Sequence, residues 1–447
     1  MRFLTLLMVL VLSAFAGYSQ LEKPAVPTAK ELAATKAAAA KGNADALFQM
    51  GQYYYFGTGV VKNYATAQKW LTKSAAKKNP AAMLLLGEMY KEGLGVKKDF
   101  KQSLEWMKKA ANAGNSDAAY ELGEMYEDGK GVPVNMPEAV KWYTVAADKG
   151  DVDAMIALGF CYMEGEGMTA EPRRGSDWFM KAADKGEPEA MRYLGDYYAQ
   201  SDLGNDCLKA IDWYMKAADA GDSISVKPVG VLVMKDECPG VNKEDVAAWM
   251  KRHAGYNNPD ACFYMGGFYV MGIGVKRNPG KGMEMLIKDR ELTNYTGAQR
   301  NFSTNNLFTL YNSGELKDEQ KQRLLDWFET TAKRTNDDEM MAVVANIYTN
   351  KERATSSDYR KGLDWAMKSA ELGNPGGCFW VGFIYYKGLG DIRQNDTKAF
   401  MWMLKAAQKG DKDAMALLSE FYEYGTGTER NKDKAAEWKK KAAKEEE

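Results

Sequence analysis

Between residues 80 and 114 the apolar positions fall into two runs of helical period. Ala82, Leu86 and Tyr90 lie at i, i+4 and i+8, and Leu104, Met107, Ala110 and Ala111 form the stripe of a second segment. Gly87, beside Leu86, leaves no side chain where a neighbouring helix has to come close. Gly93-Leu94-Gly95 interrupts the first run and lets the backbone reverse between two antiparallel helices. Lys108 and Lys109 fall in the last turn of the second segment, where the helix dipole favours cations, and Gly114 ends it as a residue able to take positive φ. The pattern predicts a helical hairpin with one apolar face that it cannot bury alone.

The same text recurs. Gly51, Gly87, Gly123, Gly159 and Gly195 follow one another at intervals of 36 residues. Gly87-Glu-Met-Tyr-Lys-Glu-Gly93-Leu-Gly95-Val96 is echoed at Gly51, Gly123, Gly266 and Gly382, and Gly425-Thr-Gly427 closes the series. Downstream of these blocks stand Trp70, Trp106, Trp142, Trp178 and Trp213, each followed by an Ala-Ala pair, and Trp365, Trp402 and Trp438 repeat the element near the C-terminus. Hairpins of this length become stable by stacking on their neighbours, which predicts a solenoid.

The Leu-Gly-x-x-Tyr, Gly-x-Gly-Val and Trp-x-x-Lys-Ala-Ala segments, recurring in order, resemble the Sel1-like repeat family, a relative of the tetratricopeptide repeats. The resemblance implies an all-α fold, a right-handed superhelical α/α solenoid, here of about eleven helical hairpins between residues 44 and 443. The first-helix Gly position falls at 51, 87, 123, 159, 195, about 230, 266, about 308, 345, 382 and 419, and is replaced by Phe308, Ala345 and Ser419. The expected organisation is a linker and capping helix over 20–43, five regular modules over 44–223, three divergent ones over 224–335, and three more with a polar tail over 336–447. The family further implies an adaptor in multiprotein complexes. An alternative drawn from cysteine-rich relatives is a cell-wall-associated hydrolase or β-lactam-binding enzyme, but those relatives carry a regular cysteine pair in each module, which this sequence lacks.

Composition narrows the chemistry. Lys plus Arg number 60 against 61 Asp plus Glu, so no basic field attracts nucleic acid or an anionic membrane. A single histidine removes His-based metal sites, and no Walker loop, His-Glu-x-x-His or Gly-x-Ser-x-Gly motif occurs. The Gly-x-Gly-Val elements follow helices rather than strands, so they do not read as dinucleotide loops. No catalytic residue, metal or cofactor is expected. His253, near a second-helix C-terminus, reads as a capping or surface residue. Arg2, the apolar run Phe3–Leu12 and the small residues Ser13–Ser19 have the order of a secretory signal peptide over 1–19, with cleavage after residue 16 or 19 and hence export to the periplasm or beyond. Nothing after residue 20 is apolar for long enough to span a bilayer, so no stable membrane insertion is expected.

Of five cysteines, Cys262 and Cys378 share a place four residues before the Gly position and read as small core residues. Cys207 and Cys238 fall near interhelix turns of adjacent modules; a bond between them fits the sequence, and two unpaired thiols are the simpler expectation.

Counted from each Gly position, places −2, +1, +4 and +5 lie opposite the packed stripe. In modules two to four they are acidic, including Glu88, Glu92, Glu121, Glu124, Glu127, Asp128 and Glu164, and read as a solvated face. In module ten three of these places hold Trp380, Phe383 and Tyr386, with Tyr264 and Tyr193 at place −2 of modules seven and five. Ten of the 11 tryptophans are one repeated second-helix residue, and Trp380 is the exception. The expected partner-binding residues on the concave face are therefore Trp380, Phe383, Tyr386, Tyr264, Tyr193, Glu88, Glu124 and Glu127, and the expected partner is a protein or peptide.

Overall fold

A computed structural model describes residues 23–200, 206–293 and 297–443, without the side chains of 297–303. The expected signal peptide and the last four residues lie outside this set. The described residues are helical throughout, with no strand among them, as the solenoid reading requires. The chain divides into two compact units at Val229/Gly230, inside the sixth module.

In the first unit, helix α1 (Ala29–Ala40) precedes five hairpins. These pair α2 (Ala44–Phe56) with α3 (Tyr64–Ala75), α4 (Pro80–Glu92) with α5 (Phe100–Asn112), and α6 (Ser116–Asp128) with α7 (Met136–Ala147). The fourth and fifth pair α8 (Val152–Glu164) with α9 (Pro172–Ala183) and α10 (Pro188–Ala199) with α11 (Cys207–Asp219). Side chains of Asn43, Asn79, Asn115 and Asp151 accept the first free amides of α2, α4, α6 and α8. Each such cap is worth about 1 kcal/mol. The first Gly of each turn ends the first helix in the left-handed region, as Gly93 does at φ 74° and ψ 32°.

The Gly place works by admitting its own module's second helix. A Cβ on Gly51 would meet Leu71, on Gly87 Met107, on Gly123 Tyr143, and on Gly159 Phe179, in every case the residue twenty positions on. These side chains are 0–1% exposed. The second Gly of each turn seats the preceding module. Gly95 lies on Tyr64, Gly131 on Phe100 and Gly167 on Met136, each the first residue of the previous second helix. Gly59 has no such module before it and lies on Pro27 instead, so α1 with its Thr28 capping box stands where a second helix belongs. The capping helix is thus half a module, beginning 35 residues ahead of α3.

Helix α12 (Val226–Met234) is only nine residues long and runs across the division between the units. The second unit continues with α13 (Lys243–Gly255), α14 (Pro259–Met271), α15 (Pro279–Leu292), α16 (Gly297–Asn312) and α17 (Asp318–Thr335). It ends in three hairpins, α18 (Asp338–Thr349) with α19 (Ser356–Glu371), α20 (Pro375–Lys387) with α21 (Asp396–Gln408), and α22 (Lys412–Tyr424) with α23 (Lys432–Ala442). The contact rule persists where the sequence keeps it, since Gly266 faces Leu286 and Gly382 faces Met403. Where Ser419 replaces Gly, its hydroxyl donates to the Ala435 carbonyl at 2.9 Å, so the added polar group has a partner.

Two expectations change here. His253 is 8% exposed, with its ring 4.4 Å from that of Trp249, so it is not a surface residue, while it does stand in the last turn of α13. Lys288 also meets the α13 C-terminus, donating to the Ala254 carbonyl at 2.7 Å. Cys207 and Cys238 are disulfide-bonded rather than free. Cys161, Cys262 and Cys378 are free and buried, and burial raises all three thiol pKa values.

Candidate interaction surface

Helix α20 is as rich in aromatic residues as α2, and it carries a tryptophan among them. Gly377, Cys378, Val381, Gly382 and Ile384 are its buried side, which leaves Trp380, Phe383 and Tyr386 half-buried on the other. Phe379 extends the group. Its ring stacks on Phe383 at 5.9 Å and meets Trp380 edge-on at 5.1 Å, while Trp380 and Phe383 meet at 5.6 Å. Tyr386 turns toward the next module, 4.8 Å from Phe421 of α22, and the Lys387 ammonium lies 4.6 Å from its ring. Helix α18 packs directly on α20, so successive first helices are neighbours here.

The other two expected rings behave differently. Tyr264 is 7% exposed, and its ring occupies the space over Gly230, which explains the burial: module six has glycine where α14 approaches. Desolvation, then Asp260, pushes its phenol up to about 12. It is a core residue and not part of an open face. Tyr193, in the first unit, is half-buried between Phe160 at 4.6 Å and Phe179 at 5.2 Å, with the Arg192 guanidinium 4.4 Å from its ring. Its hydroxyl donates to Glu189 at 2.5 Å.

The acidic places of modules two and three are a solvated face only in part: Glu92, Glu127 and Asp128 are exposed, whereas Glu88, Glu121 and Glu124 are half-buried. Lys91 joins the two modules, its ammonium 3.1 Å from Glu88 and 2.5 Å from Glu121, with side-chain exposures of 20%, 15% and 13%. Tyr120 donates to Glu124 at 3.3 Å, and the Tyr143 hydroxyl donates to Glu127. Desolvation, then the charge of Glu121, pushes both Glu88 and Glu124 up to about 7, with Lys91 pulling each back. Glu127 is raised by desolvation against the Tyr143 bond. Burial alone would lower the Lys91 pKa; Glu121 and Glu88 more than reverse it. These carboxylates accept from Lys91, Tyr120 and Tyr143.

Sequence reasoning passed over Lys91, Tyr120, Tyr143 and Phe379. For Tyr143 a signal existed. The residue twenty places after the Gly is Leu71, Met107 or Phe179 in modules one, two and four, and becomes Tyr143 where Glu127 stands at place +4. Module five repeats the device, with Tyr214 donating to Asp196 at 2.7 Å. Among the described residues no group of His, Cys, Asp or Glu is placed to hold a metal ion, and no helix is long and apolar enough to cross a membrane.

The profile of the family described as Sel1 repeat matches residues 44–79, 80–115, 116–151, 152–187, 188–222, 259–288, 351–374, 375–411 and 412–446, well over half of the chain. A crystal structure of a protective antigen present in uropathogenic Escherichia coli strains, displaying an SLR fold, aligns with a TM-score of 0.53 and 28% identity, covering 92% of this chain and 86% of that one. An ERAD-associated E3 ubiquitin-protein ligase component, HRD3A of Arabidopsis thaliana, is 43% identical over 58 residues, 13% of this chain. Chitin synthase regulatory factor 1 of Schizosaccharomyces pombe is 34% identical over 79 residues, 18% of this chain. The matched stretches span 9% and 17% of those two relatives' lengths.

Proposed function

The chain belongs to the Sel1 repeat family, whose repeats make protein-interaction scaffolds, and on that premise we propose that it is an exported, non-catalytic adaptor that holds a protein or peptide on its first-helix, concave side. The observation that carries the reading is the ring group of α20: Trp380, Phe383 and Tyr386 stay half-buried at places that hold Glu121, Glu124 and Glu127 in module three. Large rings at a partly open face are the groups that most often carry binding energy. The non-catalytic part is supported by His253, packed on Trp249 and 8% exposed, and by relatives named as a ligase component and a regulatory factor. Export is supported by the Arg2 and Phe3–Leu12 pattern and by the disulfide-bonded Cys207 and Cys238, since such bonds persist in oxidising compartments.

Placing a photo-crosslinking phenylalanine analogue at position 380, and separately at the second-helix position 402, tests the binding side. Irradiation in the protein's own envelope fraction should give a discrete adduct from position 380 and none from position 402. Equal labelling from both, or none from 380, would remove the ring group as the binding surface.

A further inference from the structure

Module eleven places carboxylates where module ten places rings. Glu420 and Glu423 stand at +1 and +4 from Ser419, as Phe383 and Tyr386 do from Gly382. Both are exposed, and neither has a hydrogen bond or ion pair from its carboxylate among the described residues. This sets them apart from Glu88, Glu121, Glu124 and Glu127, whose carboxylates are met by Lys91, Tyr120 and Tyr143. Tyr386 touches Phe421, which lies between the two glutamates in sequence, so the ring group of module ten reaches the helix that carries them. Tyr424, one turn beyond Glu420, is 73% exposed and adds a further ring.

We propose that the first-helix face of modules ten and eleven binds a peptide segment in which Lys or Arg alternates with aromatic or large apolar residues. Its apolar side chains lie on Trp380 and Phe383, and its cations lie between Glu420, Glu423 and the ring of Tyr424, beside the Tyr386 ring that Lys387 already approaches at 4.6 Å. The charge assigns the partner's sign: two unmatched carboxylates one turn apart, about 5–6 Å between their Cβ atoms, accept one or two cations. The rings add attraction for the same cations and exclude water beside them. A polar, purely cationic peptide would use only the carboxylates, and exposed pairs of that kind are individually weak. This rests on the adaptor reading and specifies its partner.

The test uses the full chain and three labelled hexapeptides, (Phe-Arg)3, (Phe-Glu)3 and (Ser-Arg)3, in fluorescence polarisation at low and high salt. The (Phe-Arg)3 peptide should bind at least about tenfold more tightly than either of the others. The double variant E420Q/E423Q, both sites exposed and so harmless to folding, should weaken (Phe-Arg)3 roughly five- to tenfold and flatten its salt dependence. W380A should weaken it as well, with the circular dichroism spectrum unchanged. Equal binding of (Phe-Glu)3 or (Ser-Arg)3, or an E420Q/E423Q variant that binds (Phe-Arg)3 as well as the parent, overturns the proposal. Crosslinking from position 380 with glutamates that do not matter would leave the adaptor standing and remove only the cationic partner.

Discussion

Tyr214 lies against Gly195 across the fifth module, so that a Cβ on Gly195 would fall 2.5 Å from both Cδ1 and Cε1 of the ring. The contact is one instance of the rule of the fold, which is tighter still at Gly159, where a Cβ would fall closer yet to Cε1 of Phe179. In the second module the corresponding neighbour of Gly87 is the flexible end of Met107, with the nearest atoms at 2.8 and 2.9 Å.

Gly-to-Ala substitution should therefore separate the modules by the stiffness of the facing side chain. Gly195→Ala, against a ring held by its bond to Asp196, should lower stability by about 2–3 kcal/mol, and Gly87→Ala by about 1 kcal/mol or less, because Met107 can re-choose rotamers. Urea unfolding followed by circular dichroism measures both. Equal losses would mean that helix separation, and not the facing ring, sets the cost.

Stability should fall as pH rises from about 5 to about 8. Glu88 and Glu124 titrate near 7 in the fold and near 4.5 when exposed. Between those values the folded chain holds protons that the unfolded chain has released, so raising the pH favours unfolding, and the loss is complete above 7. Asp151, pushed up to about 6 mainly by desolvation, adds to the trend. The double variant E88Q/E124Q should flatten the profile by an amount on the order of 1 kcal/mol or more per group. An identical slope in parent and variant would show that these carboxylates are hydrated in solution.

Thiol counting should distinguish the five cysteines. Native protein purified under oxidising conditions should give no fast-reacting thiol, denatured unreduced protein three, and denatured reduced protein five, following the buried free Cys161, Cys262 and Cys378 and the bonded Cys207 and Cys238. Five thiols without reductant would contradict the oxidised pair.

Much of this molecule is written along one dimension. Helix period, the Asn and Asp caps, the turn glycines and the 36-residue spacing are local or repetitive signals, and they determine hairpins, their antiparallel sense and their stacking. The Gly87 place could be assigned to a close approach because glycine leaves no side chain there. Which atoms fill a space is not local. Tyr264 and Trp380 share place −2 of their modules, yet one is sealed over Gly230 and the other is half open, because the difference lies in the helix that comes against each. Glu88 and Glu420 share place +1, and Lys91 from the next turn with Glu121 from α6 of the next module leaves the first only 15% exposed. The sequence determined the array by itself. The tertiary structure decided which of its equivalent positions were left facing outward, since burial is a property of what packs on a residue and not of the residue's own place in the repeat.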